Sequence, residues 1–533
     1  MGVLWYGGTI YTMESEGVTV ESVYTNDGKV IDVGSYQTLS NKYKDEITEQ
    51  NDLNGSIMFP GFVDSHLHII GHGEKLIHLD LSAMTSDQEV KQSLKERIKH
   101  IKEGEWIIGE GWNENQWEAP RVIHKDELDE IAPNNPMVLT RVCRHALIAN
   151  SAAMKIANIS MQTEDPQGGR VVRDENGVPT GYFLDTAQDY IKEGIPAVSE
   201  EYLTRVVEQA VDDLYQYGLV GGHSEDLYYY GGFKKTLNAF KQAIDGEKRK
   251  FRAHLLVHHE VFNDMISEGL VYKDGTEFIE LGAMKIFADG ALGGRTAWLT
   301  KPYEDDPTNS GIPIHTEQGL IDLVKQAREN GMPVAVHAIG DQAVWTIANI
   351  IQNYPLYNGR RDRIIHAQIV NPELLDLLQS LDVVLDIQPT FVASDFPWII
   401  DRIGLERAVL SYPWKTFLSR GIACAAGSDA PIEQINPLLG IEAAVLRKSS
   451  MDGKSYNKQE CLSVYEAISL YTKGSAYIIG EENHRGIIAP GFTADFTVFN
   501  QDLFKIKPEK IVDTKIVMTV VDEQIVYDKY AKE

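Results

Sequence analysis

The chain has 533 residues, of which 43% are hydrophobic and 24% charged, and its formal net charge at pH 7 is −28. This composition is typical of a globular protein, and the length predicts either several domains or one large barrel with additions. The negative charge argues against nucleic acid or an anionic membrane as a partner, and it says nothing about the reaction.

The cysteines and the N-terminal residues bear on the compartment. The three cysteines, Cys143, Cys424 and Cys461, lie far apart in the sequence, and an odd number without Cys-x-x-Cys spacing does not predict a disulfide framework. No apolar run approaches the length of a membrane span, and the first residues lack the shape of a signal peptide. We therefore expect a cytoplasmic protein. Whether it forms a homo-oligomer is left open.

Both ends of the chain are rich in short β-type runs. In residues 1–56 the turn signal Asn26-Asp27-Gly28 separates two of these runs, as in a β-hairpin. Residues 476–533 repeat the pattern. Because chain termini often lie close together in space, we expect the two segments to form one small β-sandwich domain.

The segment at about 70–200 mixes strand, helix and turn patterns, and we interpret it as an insertion in a larger domain that spans 57–475. Its loops contain Trp112, Gln116 and His145. These side chains are predicted to line a pocket for an apolar substrate group. Ordinary packing is the alternative.

From about residue 200 onward, helical and β-type patterns alternate. Eight strands are predicted in all, at 57–68, 218–224, 253–258, 283–289, 333–337, 363–366, 383–388 and 422–429. Alternating βα units predict an α/β protein with a parallel sheet, and eight of them predict a (β/α)8 TIM barrel. A doubly wound open sheet is the alternative.

A His-x-His pair ends the first predicted strand. Because side chains two apart on a strand point to the same side, His66 and His68 should project together. Two imidazoles form half of a tetrahedral metal site. Hydrogen bonds from the two rings to nearby carbonyls are the alternative.

Other metal-ligand types lie at or near the ends of later strands. The active site of a TIM barrel lies at the C-terminal ends of its strands. This rule adds four residues to the histidine pair, namely Lys285, His337, His366 and Asp429. Any one of them alone could be a core residue, but together they predict a metal centre in the barrel mouth.

Three further residues are candidates for contact with substrate. His223 comes near the end of the second predicted strand, two residues before Glu225, and is predicted to face the same mouth. Asp289 and Arg295 follow the Lys285 strand, where we expect them to support the next loop and to reach toward the substrate.

Several of these stretches match motifs of a known family, and they read PGFVDSHLH, MKIFADGALGGRTAWL, VAVHAIGDQAV, RIIHAQ, GSDAPIEQINPL and, near the C-terminus, GIIAPGFTADFTVF. On these motifs the sequence resembles the amidohydrolase superfamily, in the family 3 branch that contains N-substituted formamide deformylases. The resemblance covers nearly the whole chain. The sequence departs from the family at Arg144, where many relatives have Gly, and at Leu184-Asp185, where relatives often have Glu.

The resemblance implies a binuclear centre in which the four histidines and Asp429 hold two divalent metal ions. Zinc is the expected metal, with other divalent ions left open. The implied activity is that of an amidohydrolase, which hydrolyses carbon–nitrogen bonds other than peptide bonds. The implied small-molecule substrate is an amide, formamide, N-acyl amine or cyclic amide. A metal-bridging hydroxide would attack the carbonyl carbon, and Asp429 would move the proton.

The resemblance also implies that Lys285 is N-carboxylated and bridges the metals. A lysine is ordinarily a cation that repels metal ions. Two nearby dications would lower its pKa, so that the neutral amine could add carbon dioxide and become an anionic carbamate. A salt bridge between Lys285 and Asp289 is the alternative.

Two other functions remain open at this point. An ester or phosphoester hydrolase would use the same metal centre, and a non-catalytic metal-binding barrel would use only part of it. The sequence does not name the substrate or the number of bound metals.

Overall fold

The computed structural model describes residues 2–114, 117–141, 146–166, 169–195, 198–356 and 359–531. The chain divides into two compact units. The first consists of Met1–His72 together with Glu200–Glu533, and the second of Gly73–Ser199.

The strands, numbered in chain order, are β1 Gly2–Tyr11, β2 Thr19–Asn26, β3 Lys29–Gly34, β4 Ile47–Asp52, β5 Ile57–Pro60, β6 Phe62–Leu67, β7 Leu79–Asp80, β8 Ile107–Trp112, β9 Met137–Arg141, β10 Ala146–Ala149, β11 Gly169–Arg173, β12 Pro179–Asp185, β13 Leu219–Ser224, β14 Arg252–His258, β15 Ile279–Phe287, β16 Val334–Ala338, β17 Asp362–His366, β18 Val383–Ile387, β19 Ala423–Ala426, β20 Phe496–Phe499, β21 Ile516–Val521 and β22 Gln524–Asp528.

The α-helices are α1 Tyr36–Lys42, α2 Ile69–Ile77, α3 Asp87–Arg97, α4 Lys125–Ile131, α5 Ser151–Ile156, α6 Gln188–Lys192, α7 Glu200–Gln216, α8 Phe233–Ala243, α9 Phe262–Ser267, α10 Glu317–Glu329, α11 Asp341–Asn353, α12 Pro372–Gln379, α13 Thr390–Asp395, α14 Ile399–Ala408, α15 Trp414–Ser419, α16 Pro437–Leu446, α17 Val464–Ser469 and α18 Ser475–Ile478. Short 3-10 turns lie at Ile98–His100, His259–Val261, Lys458–Glu460 and Pro508–Asp513, and a π-helical turn lies at Leu470–Gly474. Within the described ranges, no helix is both long and apolar enough to cross a membrane.

Strands from both ends of the chain meet in space, and the β-sandwich domain expected from them stays a prediction. In the described part of the chain they are connected into a single sheet with the order β22-β21-β20-β5-β1-β2-β3, and β4 pairs with β1. The β2–β3 hairpin turns at Asp27 and Gly28, whose φ angles of 50° and 70° suit a type I′ turn. Trp5 from the N-terminal segment packs edge-on against Phe496, so the two ends share one core.

The barrel strands are β6 and β13 to β19, which confirms the predicted TIM barrel. Among the described residues, eight parallel strands follow the order β19-β18-β17-β16-β15-β14-β13-β6. The predicted first strand is divided at Gly61, because its first half, β5, pairs with β1 and β20 of the terminal sheet. Only β6 enters the barrel.

Two of the helices between the barrel strands begin at side-chain caps that the sequence supplies. Helix α12 starts with Pro372, and the side chain of Asn371 accepts the backbone N–H of Leu374. Helix α10 is capped in the same way by Thr316, which accepts from Gly319. Such caps satisfy N–H groups that have no partner within the helix, and they separate each helix from the buried strand that precedes it.

Two backbone hydrogen bonds close the barrel between β6 and the segment after β19. The N–H of Asp429 donates to the carbonyl of His66 at 2.7 Å, and the N–H of His68 donates to the carbonyl of Ala430 at 2.8 Å. The buried carboxylate of Asp64 accepts the N–H of Ser428 at 3.0 Å and also that of His66 at 3.0 Å. Closure therefore brings the first and last barrel strands together at residues that the sequence predicts to bind metal.

A buried ion pair joins the barrel to the terminal sheet. Arg252, at the start of β14, donates two hydrogen bonds to the carboxylate of Asp495, which precedes β20. The carbonyl of the same aspartate accepts the N–H of Gly61 at 2.8 Å. Both side chains are buried, so each charge depends on the other for compensation.

The second unit, Gly73–Ser199, has its own sheet and core. Its described strands follow the order β11-β12-β10-β9-β8-β7. Buried side chains that include Trp112 and Leu139 fill one of its hydrophobic clusters, and Phe183 belongs to another.

We expect Gly427→Ala to destabilise the first unit. An added Cβ at this position would collide with the backbone nitrogen of His66 and would lie 2.7 Å from Asp64 Oδ1. Overpacking of this kind typically costs about 1–3 kcal/mol. The midpoint of thermal unfolding and the affinity for added Zn²⁺ should both fall. Gly34→Ala is the control, because its nearest new contact is an ordinary 3.8 Å. Equal behaviour of the two variants would contradict the role of the closing contacts.

Candidate metal centre and active site

The predicted metal ligands come together in the mouth of the barrel. Suitable atoms of His66, His366 and Asp429 all lie within 4.8 Å of one another, and all three side chains are buried. His68 Nε2 is 3.4 Å from Asp429 Oδ1. The ring of His337 lies 4.6 Å from that of His366, measured between centroids.

Hydrogen bonds from the Nδ1 atoms of two histidine rings determine which ring nitrogen faces the cluster. His68 Nδ1 donates to the carbonyl of Glu225 at 2.8 Å, and His366 Nδ1 donates to Gln388 Oε1 at 2.7 Å. The amide nitrogen of Gln388 donates to the carbonyl of Asp386, which orients the amide oxygen toward His366. Each ring therefore turns its Nε2 toward the cluster, the usual arrangement around metal-bound histidines. The Nε2 of His366 has a free lone pair, whereas that of His68 faces Asp429 and has to lose a proton before it can bind a metal ion.

His337 presents the opposite nitrogen. Its Nε2 donates to the carbonyl of Gly290 at 3.2 Å and lies 3.6 Å from Asp289 Oδ1. The lone pair of this ring is therefore on Nδ1.

Backbone strain accompanies the centre. His366 has a φ of 78° and Asp429 a φ of 59°, in a region that non-glycine residues seldom adopt. Such conformations cost about 1–3 kcal/mol each and occur most often at functional sites. The two residues end β17 and follow β19, so the strain lies where the ligands converge.

Lys285 is completely buried inside this cluster. Its Nζ is 3.4 Å from His66 Nε2, and it lies 4.6 Å from the centre of the Phe287 ring. Among the described residues, no carboxylate forms an ion pair with it. Burial lowers its pKa below the ordinary value of a lysine, although the charges of Glu225 and Asp429 oppose that shift.

The salt bridge between Lys285 and Asp289, considered from the sequence, is not present. The buried carboxylate of Asp289 instead accepts three backbone N–H groups, from Trp298, Ile339 and Gly340, at 2.8–3.0 Å. It thereby fixes the loop after the Lys285 strand, as expected.

The pKa values of the histidines in the cluster shift in different directions, depending on whether burial or a neighbouring carboxylate dominates. Burial lowers the pKa of His66 and of His337 well below the usual value, and it lowers the pKa of His366 to about 4. Burial acts in the same direction on His68, but the neighbouring Asp429 carboxylate outweighs it and raises the pKa of His68 to about 9. The pKa of Asp429 is lowered, because the hydrogen bond to His68 and nearby positive charges overcome the effect of burial.

This donor set fits a metal ion. The imidazoles held neutral by burial and the ionised carboxylate are the protonation states in which such groups coordinate metals. The buried Nδ1 of His66 has no hydrogen-bond partner among the described residues, so this ring is not satisfied by the protein alone. Imidazole and carboxylate together suit zinc and similar divalent ions.

A comparison with protein families matches residues 49–527 to the Amidohydrolase family. The chain belongs to this family. Amidohydrolase YtcJ from Bacillus subtilis (strain 168) is 52% identical to it over 531 residues, which cover 99% of this chain and 100% of that protein. N-substituted formamide deformylase from Arthrobacter pascens is 24% identical, over 98% of this chain and 97% of its own length.

Among solved structures, an uncharacterized metal-dependent hydrolase from Pyrococcus horikoshii OT3 has a TM-score of 0.78 to this chain at 28% sequence identity. The match covers 96% of this chain and 99% of that one. Together these findings confirm the predicted family, and they support the description of the chain as a metal-dependent hydrolase of the amidohydrolase family.

The residues of this amidohydrolase that were predicted to contact substrate lie in different parts of the structure. Arg295 pairs with Asp305 at 2.8 Å and so supports its own loop. Trp112 is buried in the core of the second unit, where its indole N–H donates to the carbonyl of Leu139, an arrangement that favours the packing alternative. Gln116 and His145 lie outside the described residues.

His223 faces the barrel interior as expected but lies below the mouth. Its Nδ1 is 3.4 Å from Arg363 Nη1, and its ring is 5.0 Å from that of His254. Both neighbours are near the starts of their strands. Glu225, two residues further along the same side of the strand, lies beside His68. The two-residue period of the strand predicts that His223 points into the barrel, but it does not predict how far from the mouth the side chain lies.

Two residues of the amidohydrolase site were missed by the sequence reasoning. Gln388 directly follows β18, so the rule of strand ends would have selected it, but an amide is not a metal-ligand type. Asp64 precedes the His-x-His pair in the same motif, and its role in closing the barrel requires the tertiary fold.

We expect Gln388→Leu to weaken metal binding by about 10–100-fold, because His366 would lose the acceptor that orients its ring. A chelator competition with Zn²⁺ measures the affinity directly. Gln388→Glu retains an acceptor at the same place and should stay much closer to the wild-type affinity. If Gln388→Leu binds the metal as tightly as the wild type, the orienting role is refuted.

Proposed function

We propose that this amidohydrolase hydrolyses carbon–nitrogen bonds other than peptide bonds, in an amide, formamide, N-acyl amine or cyclic amide. The observation that supports the proposal most strongly is the buried convergence of His66, His366 and Asp429 in the barrel mouth. The likeness to an N-substituted formamide deformylase supports the substrate class.

The proposed centre holds two divalent ions, with zinc expected first. His66, His68 and Asp429 would hold one ion, and His337 and His366 the other. A bound divalent ion lowers the pKa of water from 15.7 to about 7 and polarises a carbonyl oxygen, which supplies both a nucleophile and an electrophile at neutral pH.

Asp429 is proposed to carry the proton. Its carboxylate is held beside both histidines of β6, 3.5 Å from His66 Nε2 and 3.4 Å from His68 Nε2. In the reaction, water adds to the carbonyl carbon while Asp429 accepts a proton from it. The same proton then passes to the leaving nitrogen as the carbon–nitrogen bond breaks, so that an acid and an amine are released.

Lys285 is proposed to carry a carbamate that serves both metals. Its neutral amine would add carbon dioxide with release of one proton, and the resulting anion would have two oxygen ligands. Complete burial, the lowered pKa and the lack of an ion pair with any described carboxylate support this assignment. A permanently charged lysine would cost free energy at such a position.

The substrate class is tested with a panel of formamides, N-acyl amines, cyclic amides, esters and phosphoesters, offered to the zinc-loaded protein. Hydrolysis of amides above esters supports the proposal. A preference for esters or phosphoesters would replace it with the rival hydrolase, and no turnover of any compound by fully loaded protein would favour a metal-binding barrel without catalysis.

A cytoplasmic location stays a prediction from the sequence.

We expect Asp429→Asn to lower kcat/KM by about 100–10,000-fold on the best substrate of that panel, because the proton transfer is lost. The variant should keep most of its metal, measured by elemental analysis. The control is Asp513→Asn, whose exposed carboxylate pairs with Lys510 far from the barrel mouth in sequence. Unchanged turnover in the Asp429 variant would end the assignment.

Lys285→Ala should lose at least one metal ion per chain, because the proposed bridging ligand is absent. A short carboxylic acid such as propionate, added to the buffer, should restore part of the metal content and activity. The exposed Lys301 provides a matched control, Lys301→Ala. Retention of both metals at a normal rate by the Lys285 variant would disprove the bridging role.

A further inference from the structure

Two adjacent tyrosines are exposed in the loop after the second barrel strand. Tyr228 and Tyr229 follow β13 and have exposed fractions of 42% and 46%. Within the described residues, the other exposed aromatic side chains, Tyr36, Trp345 and Tyr530, are single and far apart in the sequence. An exposed apolar group next to a catalytic mouth is a feature of ligand sites.

Both rings are held in defined orientations. Tyr228 stacks on His258, with ring centroids 4.5 Å apart and an angle of 14° between the planes. The hydroxyl of Tyr229 donates to Glu225 Oε2 at 2.8 Å, and its ring meets the edge of His258 at 5.9 Å. A surface that is already ordered loses little conformational entropy when a ligand binds.

The rings are continuous with the metal centre. Tyr229 lies 6.3 Å from the ring of His68, between centroids. On the other side, His258 lies 5.8 Å from Phe287, which in turn lies 5.1 Å from His337. We call Tyr228, Tyr229, His258 and Phe287 the aromatic wall. It reaches from the proposed metal ligands out to solvent.

The aromatic wall presents rings rather than charge. Burial lowers the pKa of His258 to about 3, so its imidazole is neutral. The nearby Glu225 carboxylate has no exposed surface and is covered by its bond to Tyr229. A ligand at the wall would meet ring faces and edges, which pair better with another aromatic ring than with an aliphatic group of equal size.

We propose that the aromatic wall binds an aromatic ring of the substrate, so that the preferred substrates are amides with an aryl or arylmethyl group close to the scissile carbonyl. This inference rests on the proposed function, because it assumes that the carbonyl is held at the metal centre.

The test measures binding rather than turnover. Hydroxamic acids chelate divalent metal ions through two oxygens, so they can report on the wall once the metal is loaded. Acetohydroxamate, cyclohexanecarbohydroxamate and benzohydroxamate are titrated calorimetrically into zinc-loaded protein. In the wild type, benzohydroxamate should bind about three- to tenfold more tightly than the cyclohexane compound.

Variants at Tyr228 test whether its ring is responsible for the preference for the aryl compound. Tyr228→Leu keeps an apolar side chain but removes the ring, and it should abolish the preference for the aryl compound without changing the affinity for acetohydroxamate. Tyr228→Phe keeps the ring and should keep the preference. Tyr530→Ala, at an exposed tyrosine in the C-terminal segment, is the control and should behave as the wild type.

The outcomes separate the two hypotheses. If acetohydroxamate binds but the aryl and cyclohexyl compounds bind equally, or if Tyr228→Leu retains the preference, the aromatic wall is refuted while the metal centre stands. Tighter binding of a trimethylammonium-substituted acetohydroxamate than of benzohydroxamate would refute it in favour of a cationic substrate. If acetohydroxamate itself fails to bind, the proposed function fails, and this inference fails with it.

Discussion

The hydrogen bond from the N–H of Asp429 to the carbonyl of His66 is the contact on which the site depends. It joins the last barrel strand to the first and places a carboxylate next to two imidazoles. Asp64 reinforces the junction by accepting N–H groups from both sides of it. The approach is so close that residue 427 must lack a side chain. The same contacts that close the barrel therefore also bring the proposed metal ligands of its first and last strands together.

Around that junction, hydrogen-bond acceptors outside the proposed metal centre determine the orientation of the histidine rings. Glu225 and Gln388 accept from the outer nitrogens of His68 and His366, and Gly290 accepts from His337. Each acceptor fixes which ring nitrogen points away from the proposed metal centre and therefore which one faces it. Such support is as important as the ligands themselves, because a ring that can rotate holds a metal ion less tightly.

Burial gives the centre its chemistry. In a medium of low dielectric constant, His66, His337 and His366 are held neutral and a lone ammonium is destabilised. Asp429 stays ionised through its contact with His68, whose pKa it raises in turn. Beyond the centre, the aromatic wall extends the site toward solvent without adding charge. The barrel mouth thus combines a polar, strained interior with an apolar approach.

The sequence by itself determined the eight barrel strands and the β-rich character of both ends, and it selected six candidates for a metal centre, because strand period and strand-end position are local properties of the chain. It also identified the family through contiguous motifs. Only the tertiary structure decided the depth of His223, the packing of Trp112 in a separate core and the partner of Asp289. It likewise assigned β5 to the terminal sheet, and it brought Tyr228 beside His258. These features depend on which segments meet across the barrel or within a core, and contacts between residues distant in sequence leave no periodic pattern that a single sequence reveals.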